Sequence, residues 1–432
     1  MSEDTCKDDS PREKAAKNGA GPCTQSGRTF EQKVSRMGRR EFTKTLSALG
    51  VSSATLGFTS RDVLAEQVSD LKKEVPYTAY LRVSSENPRE KSEREAIIKT
   101  IPRDEWERRQ AGLRARDKVG DIVDSKFAAD NISLAFTGMD QSPVGFGVEI
   151  HVVTHIDKER IASSKIGREE IRKAVPQTVD VEVPSRAGTT GFSNVPTRVV
   201  STSAKRLNCE DCQDFTEWDA VPGGTPIRND TDNEIGSLTA RFDHPDHGSG
   251  WVTAGHVVNA DTGAKISQAG DEIGRSKEAY NDGYDVDYAF IGPSSDEQTS
   301  GLMANGSNNE TTETVVGSVT TEELENNVDN TDYRLKTQGR TTCRTDGYIT
   351  KTFSSPLTSS SAVGTSHDSD PGDSGGALFR VKSSSTSADE AYIAGNIIET
   401  YGPSDSDGCG QYSNTKSTTA QKVENNLGGH YF

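Results

Sequence analysis

Short runs of strand-forming residues, each bounded by glycine, serine, asparagine or aspartate, fill the second half of this 432-residue chain. Asp287–Ile291 and Ala391–Ile398 are two examples. Turn residues at this spacing end each strand after about four to eight residues and leave room for few helices. We therefore expect residues 206–432 to contain short strands separated by turns, and a helix over Thr418–Asn426.

Charge is distributed unevenly along the chain. Residues 206–432 contain 36 acidic and 15 basic residues, whereas residues 1–205 contain 30 acidic and 34 basic residues. The acidic half would repel phosphate, which argues against nucleic acid as its partner. Its strand-forming runs argue against a disordered acidic tail and favour a folded surface adapted to concentrated salt. No run approaches the roughly 18 apolar residues of a membrane-spanning helix, so we expect no stable membrane insertion.

The first 65 residues carry the pattern of an export signal. Residues 1–36 are polar and lack an apolar period, which predicts disorder. Within residues 37–65, the pair Arg39-Arg40 precedes the apolar stretch Leu46–Phe58, and Ala65 offers a small residue for cleavage. This pattern resembles a twin-arginine signal, which exports folded proteins. We expect a secreted, extracellular protein; a short amphipathic helix with a chance arginine pair is the alternative.

Four cysteines follow the predicted signal: Cys209, Cys212, Cys343 and Cys409. Export permits disulfides, but four cysteines allow three pairings and the sequence does not choose among them. Cys209 and Cys212 have the spacing of half a zinc site, yet no second pair of cysteines or histidines completes it. We therefore expect disulfides and no metal.

Residues 66–205 combine helical and strand patterns, which predicts a small α+β module. The predicted helices lie within Arg103–Arg116 and over Arg168–Ala174, and the predicted strands are Gly147–Val153 and Val179–Val183. His151 and His155 lie in or beside one of these strands, but no further histidine or cysteine is near enough to complete a metal site. We expect both to be structural or surface residues.

Three short segments of the acidic half contain the side chains that one reaction requires. They are Thr253–His256, Asp287–Ile291 and Gly372–Gly376. Acyl transfer by a serine needs a base for the hydroxyl proton, a carboxylate that orients this base, and donors for the developing oxyanion. His256 would be the base, Asp287 the orienting acid and Ser374 the nucleophile. The amides of Gly372 and Ser374 would be the oxyanion donors.

Asp285 is a second candidate for the orienting acid, since it lies two residues before Asp287. Asp287 is preferred because it directly precedes a run in which Ala289 and Ile291 alternate on one face. This is the pattern of a carboxylate at the start of a buried strand.

In this order, the three segments resemble the chymotrypsin-type serine endopeptidases, and most of all their secreted bacterial branch of streptogrisins and α-lytic-type enzymes. As in that branch, a Gly-Gly-containing strand, Val221–Ile227, precedes the histidine segment. The resemblance covers about residues 215–432. It implies an all-β domain over residues 206–432, made of two antiparallel six-stranded β-barrels with the catalytic residues between them. It also implies a monomer that cleaves proteins or peptides and needs no cofactor or metal.

The same resemblance implies two supporting residues. Leu335–Thr342 is similar to a Gly-Arg-Thr-Thr strand whose arginine pairs with the aspartate before the nucleophile, so Arg340 would pair with Asp373. Such a pair would hold the Gly372 amide toward the oxyanion. Asp368 lies six residues before the nucleophile, where trypsin-like members carry the acid that binds Lys or Arg. A simple surface charge is the alternative for Asp368.

Residues 66–205 would then be a pro-region that binds the acidic half in cis and is removed by cleavage between about Ala204 and Val221. A permanent accessory domain is the alternative. Two other functions stay open: a catalytically silent binding protein of the same fold, and a Deg-type quality-control protease, suggested by Gly255–Val258. Silent relatives usually lose one catalytic residue, whereas this chain keeps all three, which favours the serine endopeptidase.

Overall fold

The computed structural model describes the following parts of the chain: residues 74–83, 94–127, 132–138, 144–155, 167–185, 188–204, 218–283, 285–295, 297–305, 310–354, 360–370, 372–383, 388–400 and 414–432. The predicted disordered segment 1–36 and the predicted signal 37–65 lie outside these ranges, as do Cys209, Cys212 and Cys409. Cys343 is disulfide-bonded. Every other cysteine lies outside the described residues, so the structure does not distinguish the three pairings that the sequence allows.

Strands dominate the described residues, as the sequence predicts for the second half. The strands before residue 205 are β1 (Glu74–Val83), β2 (Arg94–Pro102), β3 (Ile132–Gly138), β4 (Phe146–His155), β5 (Thr178–Ser185) and β6 (Gly188–Ala204). The later strands are β7 (Val221–Gly223), β8 (Pro226–Asn229), β9 (Glu234–Ser237), β10 (Arg241–His244), β11 (Gly248–Thr253), β12 (Lys265–Gln268), β13 (Asp271–Asn281), β14 (Asp287–Pro293), β15 (Thr299–Asn305), β16 (Glu310–Val319), β17 (Leu335–Gln338), β18 (Arg344–Gly347), β19 (Ile349–Ser354), β20 (Ala362–Thr365), β21 (Ala377–Lys382), β22 (Glu390–Thr400), β23 (Thr415–Thr419) and β24 (His430–Tyr431). The helices are α1 (Arg103–Lys126), α2 (Arg168–Ala174), α3 (Thr321–Glu325), α4 (Ala420–Leu427) and the 3-10 helix η1 (Gly255–Val258).

Eight strands form one sheet, in the order β24-β10-β11-β14-β13-β12-β8-β9. Its apolar core includes Trp251, Ile266 and Ile291, all fully buried. β11 pairs with β14 through Thr253 and Ala289. This register brings the end of β11, where η1 begins, beside the first residues of β14.

The remaining strands form a sixteen-stranded sheet along the path β18-β17-β21-β22-β23-β20-β19-β3-β4-β6-β5, to which β1, β2, β7, β15 and β16 are attached. The expected two six-stranded barrels are therefore not confirmed, since neither strand order closes on itself. In the sixteen-stranded sheet the physical reason is edge pairing. Strand β3 pairs with β19, and β1 pairs with β16, so N-terminal strands fill edges that would otherwise expose unpaired backbone groups.

Helices α1 and α2 pack with β3–β6 around a core of their own. Helix α1 begins at the predicted Arg103 but extends to Lys126, because Ala115, Val119 and Val123 continue its buried stripe. Helix α2 and strands β4 and β5 confirm the other elements predicted between residues 66 and 205. Across the described ranges, no helix has both the length and the apolar character that crossing a membrane requires.

Strand β1 belongs to the core of the second half of the chain. Tyr77 and Tyr80 are buried in one apolar cluster with Leu335, Ile349 and Tyr392. The rings of Tyr80 and Tyr392 lie 4.9 Å apart. The β1–β2 hairpin therefore contributes side chains that the later strands need to complete their packing.

Ion pairs also join the part before residue 205 to the part after it. They are Arg82–Glu390 at 2.5 Å, Arg94–Glu424 at 2.6 Å, Lys99–Glu323 at 2.5 Å and Lys351–Glu149 at 2.9 Å. The side chains of Glu323, Glu424 and Glu149 are 0%, 1% and 4% exposed. In three of the four pairs, a base of the N-terminal part meets an acid of the C-terminal part.

Candidate active site

His256 and Asp287 form a hydrogen-bonded pair at the end of the eight-stranded sheet. His256 lies on η1, directly after β11, and Asp287 is the first residue of β14. The distance from His256 Nδ1 to Asp287 Oδ2 is 2.5 Å, and Asp287 Oδ1 accepts the His256 amide at 2.9 Å. A carboxylate only accepts, so Nδ1 carries the proton and Nε2 is left as a base. The two side chains are 12% and 8% exposed.

The two candidate acids have different partners. Asp287 contacts His256, whereas the fully buried Asp285 lies 2.8 Å from Lys416 Nζ. The carboxylate of Asp287 is thus the one that makes the observed hydrogen bond to the histidine.

Ser374 lies beside the turn that carries His256. Its carbonyl accepts the Ser237 amide at 2.8 Å. Gly375 has a φ of +84°, and a Cβ there would lie 2.1 Å from Thr253 Oγ1 and 2.9 Å from the Ala254 nitrogen, so only glycine fits. Within the described residues, no hydrogen bond joins the Ser374 hydroxyl to His256. In unliganded sites such bonds are often long and tighten only when substrate is bound.

The nucleophile loop leaves two of its amides without an internal acceptor. The amides of Asp373, Gly375 and Gly376 donate to the carbonyls of residues 370, 397 and 373 at 3.0, 2.7 and 2.7 Å. Those of Gly372 and Ser374 donate to no acceptor among the described residues. Gly372 has a φ of +101°, which glycine adopts without strain. Two unfilled amides two residues apart are the donors that a developing oxyanion requires.

Asp373 is held by main-chain amides and not by the predicted arginine. Its buried carboxylate accepts the amides of Thr341 at 2.7 Å, Thr342 at 3.1 Å and Asp370 at 2.9 Å, and the Thr342 hydroxyl at 2.7 Å. These donors fill the carboxylate, and the Arg340 side chain instead runs along Gly372. Burial raises the pKa of Asp373, and the hydrogen bonds oppose that rise. The predicted segment does meet Asp373, but through the backbone that follows Arg340.

Ser237 at the end of β9 is a site residue that sequence reasoning missed. It is fully buried, and its hydroxyl donates to the Gly372 carbonyl at 2.8 Å and accepts the Arg340 amide at 3.0 Å. Its own amide binds the Ser374 carbonyl. Ser237 thus ties the nucleophile loop to the eight-stranded sheet. Nothing local distinguishes it in sequence, because a single serine before a leucine has many ordinary roles.

The segment that precedes the loop separates an exposed acid from a buried histidine. Asp368 is exposed, and its carbonyl lies 3.4 Å from the Thr345 hydroxyl. The neighbouring His367 is fully buried, and its Nε2 donates to the Leu335 carbonyl at 2.9 Å. Burial lowers the pKa of His367 to about 4, despite that hydrogen bond. The imidazole is therefore neutral in the folded protein at neutral pH.

We expect this neutral histidine to make the fold sensitive to acid. An unfolded histidine takes up a proton near pH 6.5, whereas the folded His367, with its pKa lowered to about 4, takes up a proton only near pH 4. The contribution of the neutral His367 to the free energy of unfolding should be fully present above pH 6.5, and the free energy of unfolding should fall by about 3 kcal/mol by pH 4. In His367→Gln, which keeps a donor but cannot titrate, this pH dependence of the free energy of unfolding should disappear. Denaturant unfolding of the wild type and His367→Gln at several pH values tests this. The difference between their free energies of unfolding at pH 8, where His367 is neutral in both states, is the control for lost packing. An equal slope in both proteins would contradict it.

One group of side chains has the composition of a metal site. His244 Nε2 and His247 Nε2 lie 3.0 and 3.6 Å from Glu278 Oε1. However, His244 Nδ1 accepts the Asp246 amide at 3.2 Å, so the neutral ring carries its proton on Nε2, the atom a metal would need. His151 likewise lies 3.1 Å from Glu149, while the His155 side chain is outside the described residues.

No protein-family model and no curated protein matches this chain. Among solved structures, Thermobifida fusca Protease A is 19% identical, with a TM-score of 0.36 over 49% of this chain and 97% of that one. Nocardiopsis Protease is 19% identical, with a TM-score of 0.34 over 49% and 97%. Cellulomonas bogoriensis chymotrypsin is 18% identical, with a TM-score of 0.35 over 49% and 98%. Likenesses at this level assign the chain neither a family nor an activity.

Proposed function

We propose that this protein is a serine endopeptidase that cleaves peptide bonds through an acyl-enzyme. The observation that carries the proposal is the nucleophile loop, in which the amides of Asp373, Gly375 and Gly376 have internal acceptors while those of Gly372 and Ser374 have none among the described residues. The 2.5 Å pair of His256 and Asp287 supports it, because the carboxylate accepts from Nδ1 and so orients the imidazole with Nε2 available as the base.

In the proposed mechanism, Ser374 Oγ attacks the scissile carbonyl carbon while its proton passes to His256 Nε2. The carbonyl oxygen becomes an oxyanion that accepts the amides of Gly372 and Ser374. The C–N bond then breaks as His256 returns the proton to the leaving amine, which leaves an ester on Ser374. Water, deprotonated by the same nitrogen, hydrolyses this ester. Asp287 keeps the imidazole in the required tautomer and orientation throughout.

The substrate class is proteins or peptides, and a preference for Lys or Arg is proposed for Asp368. An exposed carboxylate can meet a cationic side chain without the cost of a buried, unpaired charge. Matched peptides with Arg, Lys, Gln or Leu before the cleaved bond would measure the preference. Equal turnover of the four peptides would leave Asp368 as a surface charge.

Secretion, the twin-arginine signal, salt adaptation and maturation from a zymogen belong to the same proposal. They are supported by the Arg39-Arg40 pattern and by the acidic second half. A single monomer would suffice, because every proposed catalytic group comes from one chain.

Active-site labelling tests the proposed function directly. The protein would be treated with a fluorophosphonate probe in concentrated salt, and the modified peptide would be mapped by mass spectrometry. We expect one label, on Ser374, and loss of peptide hydrolysis in proportion to labelling. Folded protein that neither labels nor hydrolyses would favour the silent binding protein, and a label elsewhere would reject the assigned nucleophile.

We expect Ser237→Ala to lower kcat about tenfold with little change in KM. The substitution removes the hydroxyl bond that holds the Gly372 carbonyl, and it should misalign the oxyanion donors more than the substrate site. Ser249→Ala on β11 is the matched control, since it removes a hydroxyl of the same sheet away from the loop. Steady-state kinetics would decide the question; an unchanged kcat, or a change confined to KM, would contradict the role given to Ser237.

A further inference from the structure

A buried lysine lies directly behind the proposed catalytic pair. Lys416 on β23 has a side chain that is 3% exposed, and its Nζ lies 2.8 Å from Asp285 Oδ1 and 3.2 Å from Glu399 Oε1. Asp285 is fully buried and Glu399 is 23% exposed. Burial opposes the lysine charge, but the two carboxylates together raise the pKa of Lys416 above its usual value. The ammonium group is therefore charged inside the protein.

This lysine and its neighbour Thr418 bind the segment that contains Asp287. Residues two apart on a strand face the same side, and both side chains point at residues 285–287. The Thr418 hydroxyl accepts the Asp287 amide at 3.0 Å and donates to the Asp285 carbonyl at 3.0 Å. Asn396 on β22 donates to the Asp287 carbonyl at 2.7 Å. We name the set of Lys416, Asp285 and Thr418 the inter-sheet clamp.

The inter-sheet clamp crosses from one sheet to the other. Asp287 begins a strand of the eight-stranded sheet, whereas Lys416 and Thr418 belong to the sixteen-stranded sheet. Ser374 lies in the loop before β21 of the sixteen-stranded sheet, while His256 lies on η1, which follows β11 of the eight-stranded sheet. The distance between nucleophile and base therefore depends on how the two sheets are held together, by Ser237 at the nucleophile loop and by the clamp at residues 285–287.

A buried ion pair is a poor device for stability alone. Removing two charges from water costs about as much as their attraction returns, and apolar replacements are often neutral or stabilising. Geometry is a better reason for its presence, because a displacement of about 1 Å at reacting groups can cost about 100-fold in rate. Concentrated salt would screen exposed pairs, but it screens a buried pair much less.

We propose that Lys416 is a positioning residue that acts through Asp285 to hold Asp287 and His256 in register with Ser374. This role rests on the proposed peptidase function. Lys416 touches neither substrate nor reacting atoms. Its contribution is that the ion pair and Thr418 fix the backbone from which Asp287 reaches His256.

A double-mutant cycle in kcat tests the clamp. Lys416→Met and Asp285→Asn should each lower kcat about 30-fold and change KM less than about threefold, because the misplacement affects reacting groups. The double variant should be no slower than the slower single variant, since both changes break one contact. Lys422→Met on α4, the matched control, should keep kcat. Circular dichroism would confirm that all four variants are folded at the assay temperature.

The outcomes separate the clamp from the proposed function. The clamp would be overturned if the folded Lys416→Met and Asp285→Asn variants lost stability but kept the wild-type kcat. It would also be overturned if the decrease in kcat of the double variant equalled the product of the two single decreases. Wild-type protein without Ser374-dependent turnover would instead overturn the peptidase. In that case the NMR resonance of the His256 Nδ1 proton still tests the clamp, because it reports the geometry of the His256–Asp287 bond. We expect this resonance far downfield because the bond is 2.5 Å long. The resonance should move or broaden in Lys416→Met and not in Lys422→Met; no change in either would reject the clamp.

Discussion

Ser374→Ala is expected to lower kcat for peptide hydrolysis by about 10⁶-fold and to abolish labelling by a fluorophosphonate. The alanine removes the only atom that forms the acyl bond, whereas the oxyanion donors stay in place, so a residual rate above that of water should remain. Hydrolysis of a chromogenic peptide in concentrated salt would measure the loss. The substitution removes one partly exposed oxygen, and we expect the fold to be unchanged.

Ser366→Ala is a suitable control for this experiment. Ser366 lies eight residues before the nucleophile, and its hydroxyl accepts the Tyr348 amide. It contacts none of the proposed catalytic groups. We expect normal labelling and kcat in this variant. Peptide hydrolysis that survives in purified Ser374→Ala at the wild-type rate would rule out Ser374 as the nucleophile.

Removal of residues 1–204 is expected to prevent the rest of the chain from reaching its native structure. Tyr77 and Tyr80 would leave the core that they share with Tyr392, and the fully buried Glu323 carboxylate would lose both tyrosine hydroxyls, at 2.6 and 3.0 Å, and Lys99. A buried aromatic residue is worth about 3–5 kcal/mol, and an uncompensated buried charge costs a similar amount. Together these losses are comparable to the whole stability of a typical domain.

Near-UV circular dichroism and active-site labelling of residues 205–432, expressed alone, would test this expectation. As a matched comparison, the folded full chain would be cut between residues 205 and 217; we expect the two pieces to elute together in size exclusion. Tyr80→Phe, which loses only the hydroxyl, should be far milder than Tyr80→Ala. A C-terminal fragment that folds and labels by itself would mean that the N-terminal part is dispensable once synthesis is complete.

This result also bears on the two interpretations of residues 66–205. A pro-region that is removed must leave behind a face that tolerates water, whereas a permanent accessory domain need not. The shared core of β1 and the buried acids Glu323 and Glu424, each paired with a base of the N-terminal part, favour pieces that stay associated after any cut.

Local pattern was enough to predict individual elements. Helix α2 has the predicted bounds, and α1 begins where predicted, because the acidic residues of a first turn and the apolar period are properties of neighbouring residues. The predicted C-terminal helix began two residues early: Thr418 and Thr419 end strand β23. Both are β-branched and pair across the sheet, and this pairing depends on strands that are distant in sequence.

The amino-acid sequence alone is enough to identify the available chemistry: a histidine, an aspartate and a serine in short segments, with glycines where φ is positive at Gly372 and Gly375. Which of these groups meet is known only from the folded chain. Asp285 pairs with Lys416, whereas Asp287 pairs with His256. Asp373 accepts backbone amides in place of Arg340, and Ser237 binds a loop 135 residues away. The reason is physical. Turn and strand preferences depend on adjacent residues, whereas the partner of a buried polar group is set by packing and strand register, which no single segment encodes.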